Sequence, residues 1–221
     1  KEIEKFIPEE YWSLDTILLS GKNKMTAKLS KISGKKAEIH SEAEMQTILQ
    51  ALEDAIYLVA DIKVQKKTKN PTAPFITSSL QQDAYRKLNF TAKKTMRVAQ
   101  QLYEGVALGK EGSVGLITYM RTDSTRIADV AKADAAAFIK GRYGEAYLPK
   151  EQKQYKNKNN AQNAHEAIRP TYVDKTPESI KEYLSNEQYK LYKLIWERFV
   201  ASQMASAQLE QTTIITRSGQ Y

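Results

Sequence analysis

The sequence predicts an α+β chain of two domains, in which a β-rich domain is interrupted by an inserted helical one. Three observations predict this. Alternating, β-branched segments crowd the stretch from Trp12 to Lys69. Helical periodicity then dominates from Thr77 to Phe199. Finally Leu209–Arg217, with the run Thr212-Thr213-Ile214-Ile215-Thr216, returns to residues that suit a pleated surface.

Each element has a local reason. Trp12–Leu19 and Met25–Ile32 alternate as strands, joined by a turn at Gly21-Lys22-Asn23. Ser33-Gly34-Lys35 marks a second turn. Ser41 followed by Glu44 has capping-box spacing and opens a helix carrying Met45, Ile48, Leu49, Leu52 and Ile56. Tyr57–Lys69 alternates and ends in lysines, as a strand with a polar edge does. Pro71 and Pro74 break the chain. A helix opens near Thr77 or Ser78, with Ser78 and Gln81 at capping-box spacing, and carries Leu80, Ala84 and Leu88. Another opens near Thr91, carries Met96, Ala99, Leu102 and Tyr103, and closes at Gly105. A helix over Ile127–Lys140 stops at Gly141. Thr176-Pro177 opens a short helix, since proline suits the first helical position. Ser185 with Gln188 opens the longest late helix, which buries Leu191, Ile195 and Phe199. The Lys- and Asn-rich piece Lys150–Asn160 is expected to be a loop. Two crossings between domains are marked, by the prolines near 71–74 and by the Ala/Ser-rich Ala201–Ala207.

Composition narrows the function classes. The 221 residues include no cysteine, which excludes disulfides and thiolate metal sites and fits a reducing cytoplasm. No apolar run approaches the ~18 residues of a membrane-spanning helix. The formal charge of +8 favours a polyanionic partner, nucleic acid first. The lysines at 63, 66, 67 and 69, and those at 150, 153, 156 and 158, are either phosphate-tracking or simply solvated. The chain starts at Lys1 rather than Met and ends just after a strand-like run, so it is expected to be a fragment of a longer protein.

The most informative stretch is Gly115-Leu-Ile-Thr-Tyr-Met-Arg-Thr-Asp-Ser124. It reads as a short strand delivering Tyr119 and, two residues later, Arg121. Period-two alternation would put Ile117, Tyr119 and Arg121 on one face. A phenol beside a guanidinium suits attack on a phosphodiester, because the cation can hold the anionic oxygens and stabilise charge in the transition state. The spacing alone also fits plain cross-strand stacking, and the chain holds 13 tyrosines.

Three segments together go further. GLITYMRTDS resembles the active-site segment of bacterial type IA DNA topoisomerases. Pro74-Phe75-Ile76-Thr77-Ser78-Ser79-Leu80-Gln81-Gln82 resembles the family's upstream P-F-x-T-S-x-L-Q-Q segment. Ala164-His165-Glu166-Ala167-Ile168-Arg169-Pro170-Thr171 resembles its downstream A-H-E-A-I-R-P-[TS] segment. They occur in the family's order, and the resemblance runs from Phe6-Ile7-Pro8-Glu9-Glu10 to the Thr-rich end.

The resemblance implies a β-rich arch domain, residues 1–75 and 204–221, carrying a helical CAP-like, winged-helix-related domain at 76–203 that presents the tyrosine. It implies Tyr119 as nucleophile, Arg121 as its electrostatic partner, and His165 as a donor to the scissile phosphate region. His165 lies in a short helical-looking piece. Glu166 and Arg169 match the motif, as a local ion pair, a phosphate contact or an orienting pair. Asp123 and Ser124 complete the tyrosine motif, either at DNA or as caps of the helix near Ile127. Thr77, Ser78 and Gln81 match the upstream motif, either at DNA or as helix caps. His40, before a capping serine, reads as a surface residue. The implied substrate is single-stranded, negatively supercoiled DNA in the bacterial cytoplasm, at the nucleoid. The family's cleavage site also uses Mg²⁺ held by the carboxylates of a Toprim domain, and no such D-x-D cluster occurs in this chain. Cleavage and religation would then need that domain from elsewhere in the parent protein. A DNA-binding winged-helix module without chemistry is the alternative reading.

Overall fold

The computed structural model describes residues 3–155 and 165–221. Part of the Lys/Asn-rich piece, together with Asn163 and Ala164, lies outside the described residues. Contacts divide the chain into two units, Lys1–Lys67 with Leu209–Tyr221, and Thr68–Gln208. These divisions fall within two strands, rather than at the expected 75/76 and 203/204.

The first unit is built from two-stranded antiparallel ribbons and one helix. Strands β1 (Asp15–Ser20) and β2 (Asn23–Lys28) pair from Asp15↔Lys28 to Ser20↔Asn23, around Gly21 at φ 58°. Strands β3 (Lys31–Ile32) and β4 (Lys35–Lys36) close on Ser33 and Gly34, both at positive φ. Helix α1 (Glu42–Leu52) is capped as expected: the Glu44 amide donates to Ser41 Oγ. The Glu44 carboxylate accepts the amide of exposed His40 rather than that of Ser41. Met45 and Ile48 are buried with Ile39. Leu49 and Ile56 are exposed, and Ile56 lies beyond the helix end, so the apolar period outran the helix. Strand β5 (Leu58–Lys69) pairs with the last strand, β8 (Ala207–Arg217).

The second unit holds the main core. Helix α2 (Thr77–Leu88) buries Leu80 and Ala84. Its first turn is closed by Ser79 Oγ, which accepts the Ile76 amide, so the cap is Ser79 and not the expected Ser78–Gln81 box. Helix α3 (Ala92–Glu104) is capped by Thr91 and ends at Gly105, as its sequence indicates. It buries Thr95, Val98, Ala99 and Leu102, while Tyr103 stands partly exposed at its last turn. Short strands β6 (Val106–Ala107) and β7 (Ser113–Val114) pair as a small hairpin.

Helix α4 (Asp129–Tyr143) starts later and runs further than expected. It passes through Gly141 and stops at Gly144, whose φ of 101° is what a helix end asks of glycine. Its N-cap position is Ala128, with no side-chain cap, so neither Asp123 nor Ser124 caps it. Thr176-Pro177 opens a turn, with Thr176 Oγ1 accepting the Ser179 amide, that leads to a 3-10 turn over Lys181–Tyr183 instead of a helix. Helix α5 (Asn186–Ser202) shows the full predicted capping box: Ser185 Oγ accepts the Gln188 amide and Gln188 Oε1 accepts the Ser185 amide. Leu191, Ile195 and Phe199 are buried at its centre, joined by Tyr192, Trp196 and Val200. Tyr192 and Trp196 also donate to the carbonyls of Lys175 and Val173, which tethers the segment after Thr171 to α5.

Candidate nucleic-acid cleavage site

The tyrosine segment is extended but is not a regular strand. Ile117 forms an isolated antiparallel bridge with Pro170, and Phe75 forms another with Ile168. Two bonds make the Ile117–Pro170 bridge: the Thr118 amide donates to the Arg169 carbonyl at 3.0 Å, and the Thr171 amide to the Leu116 carbonyl at 3.0 Å. The ladder goes no further because the Arg169 amide turns to Thr118 Oγ1 and the Leu116 amide to the Leu102 carbonyl. The expected shared face also fails in part. Leu116 and Ile117 are both buried, so the alternation restarts after them. From Tyr119 onward it holds: Tyr119, Arg121 and Asp123 are exposed, while Met120, Thr122 and Ser124 are buried. Residues 165–168 are extended too, because Ile168 bridges Phe75, where a short helix was expected.

Two threonines fix the backbone on either side of Tyr119. Thr118 Oγ1 donates to the Ala167 carbonyl at 2.7 Å and accepts the Arg169 amide at 3.0 Å. Thr77 Oγ1 donates to the Met120 carbonyl at 2.7 Å and accepts the Thr122 amide at 2.9 Å. Thr77 is therefore the first residue of α2 and a clamp on the tyrosine segment. All three motif segments meet here.

The phenol ring has its own neighbour. Tyr103, at the end of α3, meets Tyr119 edge-to-face with ring centroids 5.4 Å apart and planes at 64°. The backbone brings them together: the Leu116 amide donates to the Leu102 carbonyl at 2.7 Å, and a Cβ on Gly115 would stand 2.8 Å from the Tyr103 carbonyl oxygen. Glycine is needed at 115 for that approach.

A cleft of about 280 Å³ is lined by Tyr103, Thr118, Tyr119, Thr122, His165 and Glu166. Tyr119, 44% exposed, stands at a surface that a polymer can reach. Glu166 Oε2 accepts from Arg169 Nε at 3.1 Å and Nη2 at 2.8 Å, with both side chains mostly buried. Arg169 Nη1 also donates to the Pro170 carbonyl. The other carboxylate oxygen, Glu166 Oε1, is buried and has no hydrogen-bond partner among the described residues.

The remaining expected residues fall elsewhere. Arg121 and Asp123 are exposed but do not line the cleft. Ser124 is fully buried, its Oγ accepting the Arg126 amide and its own amide donating to Thr122 Oγ1. Ser78 and Gln81 lie on α2 outside the cleft lining. Tyr103 and Thr118 were not singled out by sequence reasoning. Thr118 sits inside the tyrosine motif, but Tyr103 carries no signal beyond a helical position. Among the described residues, no three His, Cys, Asp or Glu side chains gather as a metal-ligating group. The described residues do not fit Mg²⁺.

Comparison with known proteins places this geometry. A family model described as DNA topoisomerase matches residues 1–221. The structure of full-length topoisomerase I from Thermotoga maritima is similar at 41% identity and a TM-score of 0.77. That match covers 99% of this chain and 33% of the other, so the chain spans about a third of that relative's length. No helix among the described residues is long and apolar enough to cross a membrane.

Proposed function

The chain belongs to the bacterial type IA DNA topoisomerases, and we propose that Tyr119 is the nucleophile with which its parent enzyme cuts and reseals one strand of negatively supercoiled DNA. The observation that carries this reading is the placement of Tyr119: an accessible phenol, its backbone pinned on both sides, sharing a cleft with His165. The two units take the roles of the arch and of the CAP-like domain that presents the tyrosine.

In the proposed step the Tyr119 oxygen bonds to phosphorus and the bond from phosphorus to the 3′ oxygen breaks. The phenol proton passes to solvent water, the departing 3′ oxygen takes a proton from solvent, and the 5′ phosphate stays on the tyrosine. One phosphoester replaces another, so resealing runs the same step backwards without ATP. An ordinary phenol titrates near ~10 and needs its developing charge stabilised. His165, when protonated, donates to a non-bridging phosphate oxygen. Arg121, exposed two residues from the nucleophile, reaches the same phosphate once DNA lies across the segment. Arg169 holds Glu166, and Thr77 holds the backbone. Mg²⁺ would come with a Toprim domain, whose carboxylates complete the site.

The test is a trapped adduct. The chain is mixed with labelled single-stranded DNA, a Toprim domain and Mg²⁺, then denatured. A covalent band that disappears in Tyr119→Phe is the expected result. DNA binding with no band under any condition would instead favour a non-catalytic DNA-binding module.

A further inference from the structure

A second cleft opens in the same unit, at residues just beyond the tyrosine motif. It has a volume of about 170 Å³, and its lining includes Arg126, Lys132, Lys153 and Tyr155. We propose that it holds a backbone phosphate of the same DNA strand that Tyr119 attacks, one flanking the scissile phosphate. The inference rests on the proposed function above and adds a binding subsite to it.

The charge balance is the first argument. Three cationic side chains line this cleft, and among the described residues no carboxylate does, although Asp129 lies close enough to feel the charges of both Lys132 and Arg126. Lys132 spends one of its three N–H donors on Asp129, at 2.9 Å. The Asp129 carboxylate is itself turned to solvent, 92% exposed. Lys153 spends one donor on Ser206 Oγ at 2.8 Å, and Ser206 donates onward to Asn70 Oδ1 at 2.7 Å. That chain fixes the Lys153 ammonium without neutralising it. Tyr155 donates to the Ser202 carbonyl at 2.6 Å, and burial pushes its phenol up to about 12, although the Arg198 charge works the other way. It is therefore a neutral, fixed wall. Like charges held together repel, and an anion between them removes the penalty.

Size is the second argument. The cleft falls well under the roughly 300–1,000 Å³ of sites that enclose drug-sized ligands. It suits a small anionic group rather than a base or a whole nucleotide. A guanidinium with two ammonium groups is the donor set that phosphate oxygens take.

Continuity is the third. The two clefts are tied to opposite sides of one peptide residue. Thr118, in the tyrosine cleft, donates to the Ala167 carbonyl at 2.7 Å. The Ala167 amide donates to the Arg126 carbonyl at 2.8 Å. Ala167 also directly follows Glu166, which lines the tyrosine cleft. The backbone that carries Arg126 is thus linked to the tyrosine cleft through one residue.

The test reads salt dependence, because each neutralised phosphate of a single strand contributes about 0.7 to the slope of log K against log salt. Binding of a fluorescent single-stranded oligonucleotide to the chain is titrated over a range of salt. Arg126→Ala and Lys153→Ala should each make the slope shallower by up to ~0.7 and weaken binding at low salt. Arg126→Lys should keep most of the slope. Lys190→Ala, on α5 and outside both clefts, is the control for bulk charge. Thermal melts of the free variants identify any that misfold, and Lys153→Gln then serves in place of Lys153→Ala. Unchanged slopes in folded variants, or an equal change in Lys190→Ala, would overturn the subsite. The adduct assay with Tyr119 intact separates the two ideas: a covalent band with unchanged slopes sinks the subsite alone.

Discussion

Thr77 and Thr122 hold each other through both of their amides. The Thr77 amide donates to the Thr122 carbonyl at 2.9 Å, and the Thr122 amide donates to Thr77 Oγ1 at 2.9 Å; the Thr77 hydroxyl also lies 3.0 Å from the Thr122 carbonyl. The first residue of a helix thereby fixes the segment just after Tyr119. Thr77→Ala leaves the Thr122 amide and the Met120 carbonyl without this partner, at a cost of about 1–3 kcal/mol in denaturant unfolding. Thr77→Ser should recover most of that. Adduct yield from folded protein should fall in the Ala variant and return in the Ser variant. Equal yields in all three would remove Thr77 from the positioning of Tyr119.

Tyr103 buttresses the Tyr119 ring. An edge-to-face pair is worth roughly 0.5–1.5 kcal/mol beyond area burial. If that orientation is used in the reaction, Tyr103→Ala slows adduct formation by roughly two- to tenfold. Tyr103→Phe should stay close to the parent, since the ring contact needs no hydroxyl. The measurement is the single-turnover rate at saturating DNA, with affinity measured separately. A loss confined to affinity would mean that Tyr103 meets the DNA instead of the phenol.

Gly115 admits no side chain. A Cβ there would stand 2.8 Å from a backbone oxygen, which cannot rotate away. Gly115→Ala should destabilise by about 1–3 kcal/mol, as overpacking does. It should also disturb Tyr119 through the displaced Tyr103. A wild-type melt together with a wild-type cleavage rate would refute the close approach.

The Glu166–Arg169 pair is sensitive to charge. Glu166→Gln keeps the shape but removes the anion that the guanidinium grips. The expected loss is about 1.5 kcal/mol, the lower end for charged hydrogen bonds because some water reaches the pair. Arg169→Lys should not substitute, since an ammonium cannot reproduce the two-pronged contact. A double-mutant cycle checks the coupling, and a coupling near zero would dissolve the pair.

Tyr155 gives an alkaline signature. Its folded-state phenol titrates at about 12, above the ~10 of an unfolded chain. The unfolded state therefore loses this proton first. The associated stability is complete below pH ~10 and disappears as pH rises through about 12. Tyr155→Phe should flatten the stability profile in that window. An unaltered profile would argue against the burial of the phenol.

Much of this molecule was readable from residue order, and the reasons are local. Ser185 with Gln188, Ser41 with Glu44, and Thr91 with Gly105 mark helix ends through hydrogen bonds that span only a few residues. The tyrosine, histidine and glutamate of one cleft were nameable because their flanking strings carry a family's signature. At the tyrosine segment the reading failed because distant partners intervened, and at two helix ends it missed by one to three residues. The tyrosine segment is not a regular strand because the Arg169 amide goes to Thr118 Oγ1 and the Leu116 amide to the Leu102 carbonyl, so the bridge at Ile117 and Pro170 does not extend. Ser79 rather than Ser78 closes α2, and Gly141 continues a helix that only Gly144 ends.

Sequence alone therefore determined the long helices, the caps at Ser41, Thr91 and Ser185, and which phenol to propose as nucleophile, because each is carried by residues close together in the chain. Tertiary structure alone decided that Thr77 is a clamp, that Tyr103 faces Tyr119, and that one oxygen of Glu166 is left unpaired. Those are consequences of which backbone groups meet across tens of residues, and such meetings leave no periodic trace in the order of amino acids.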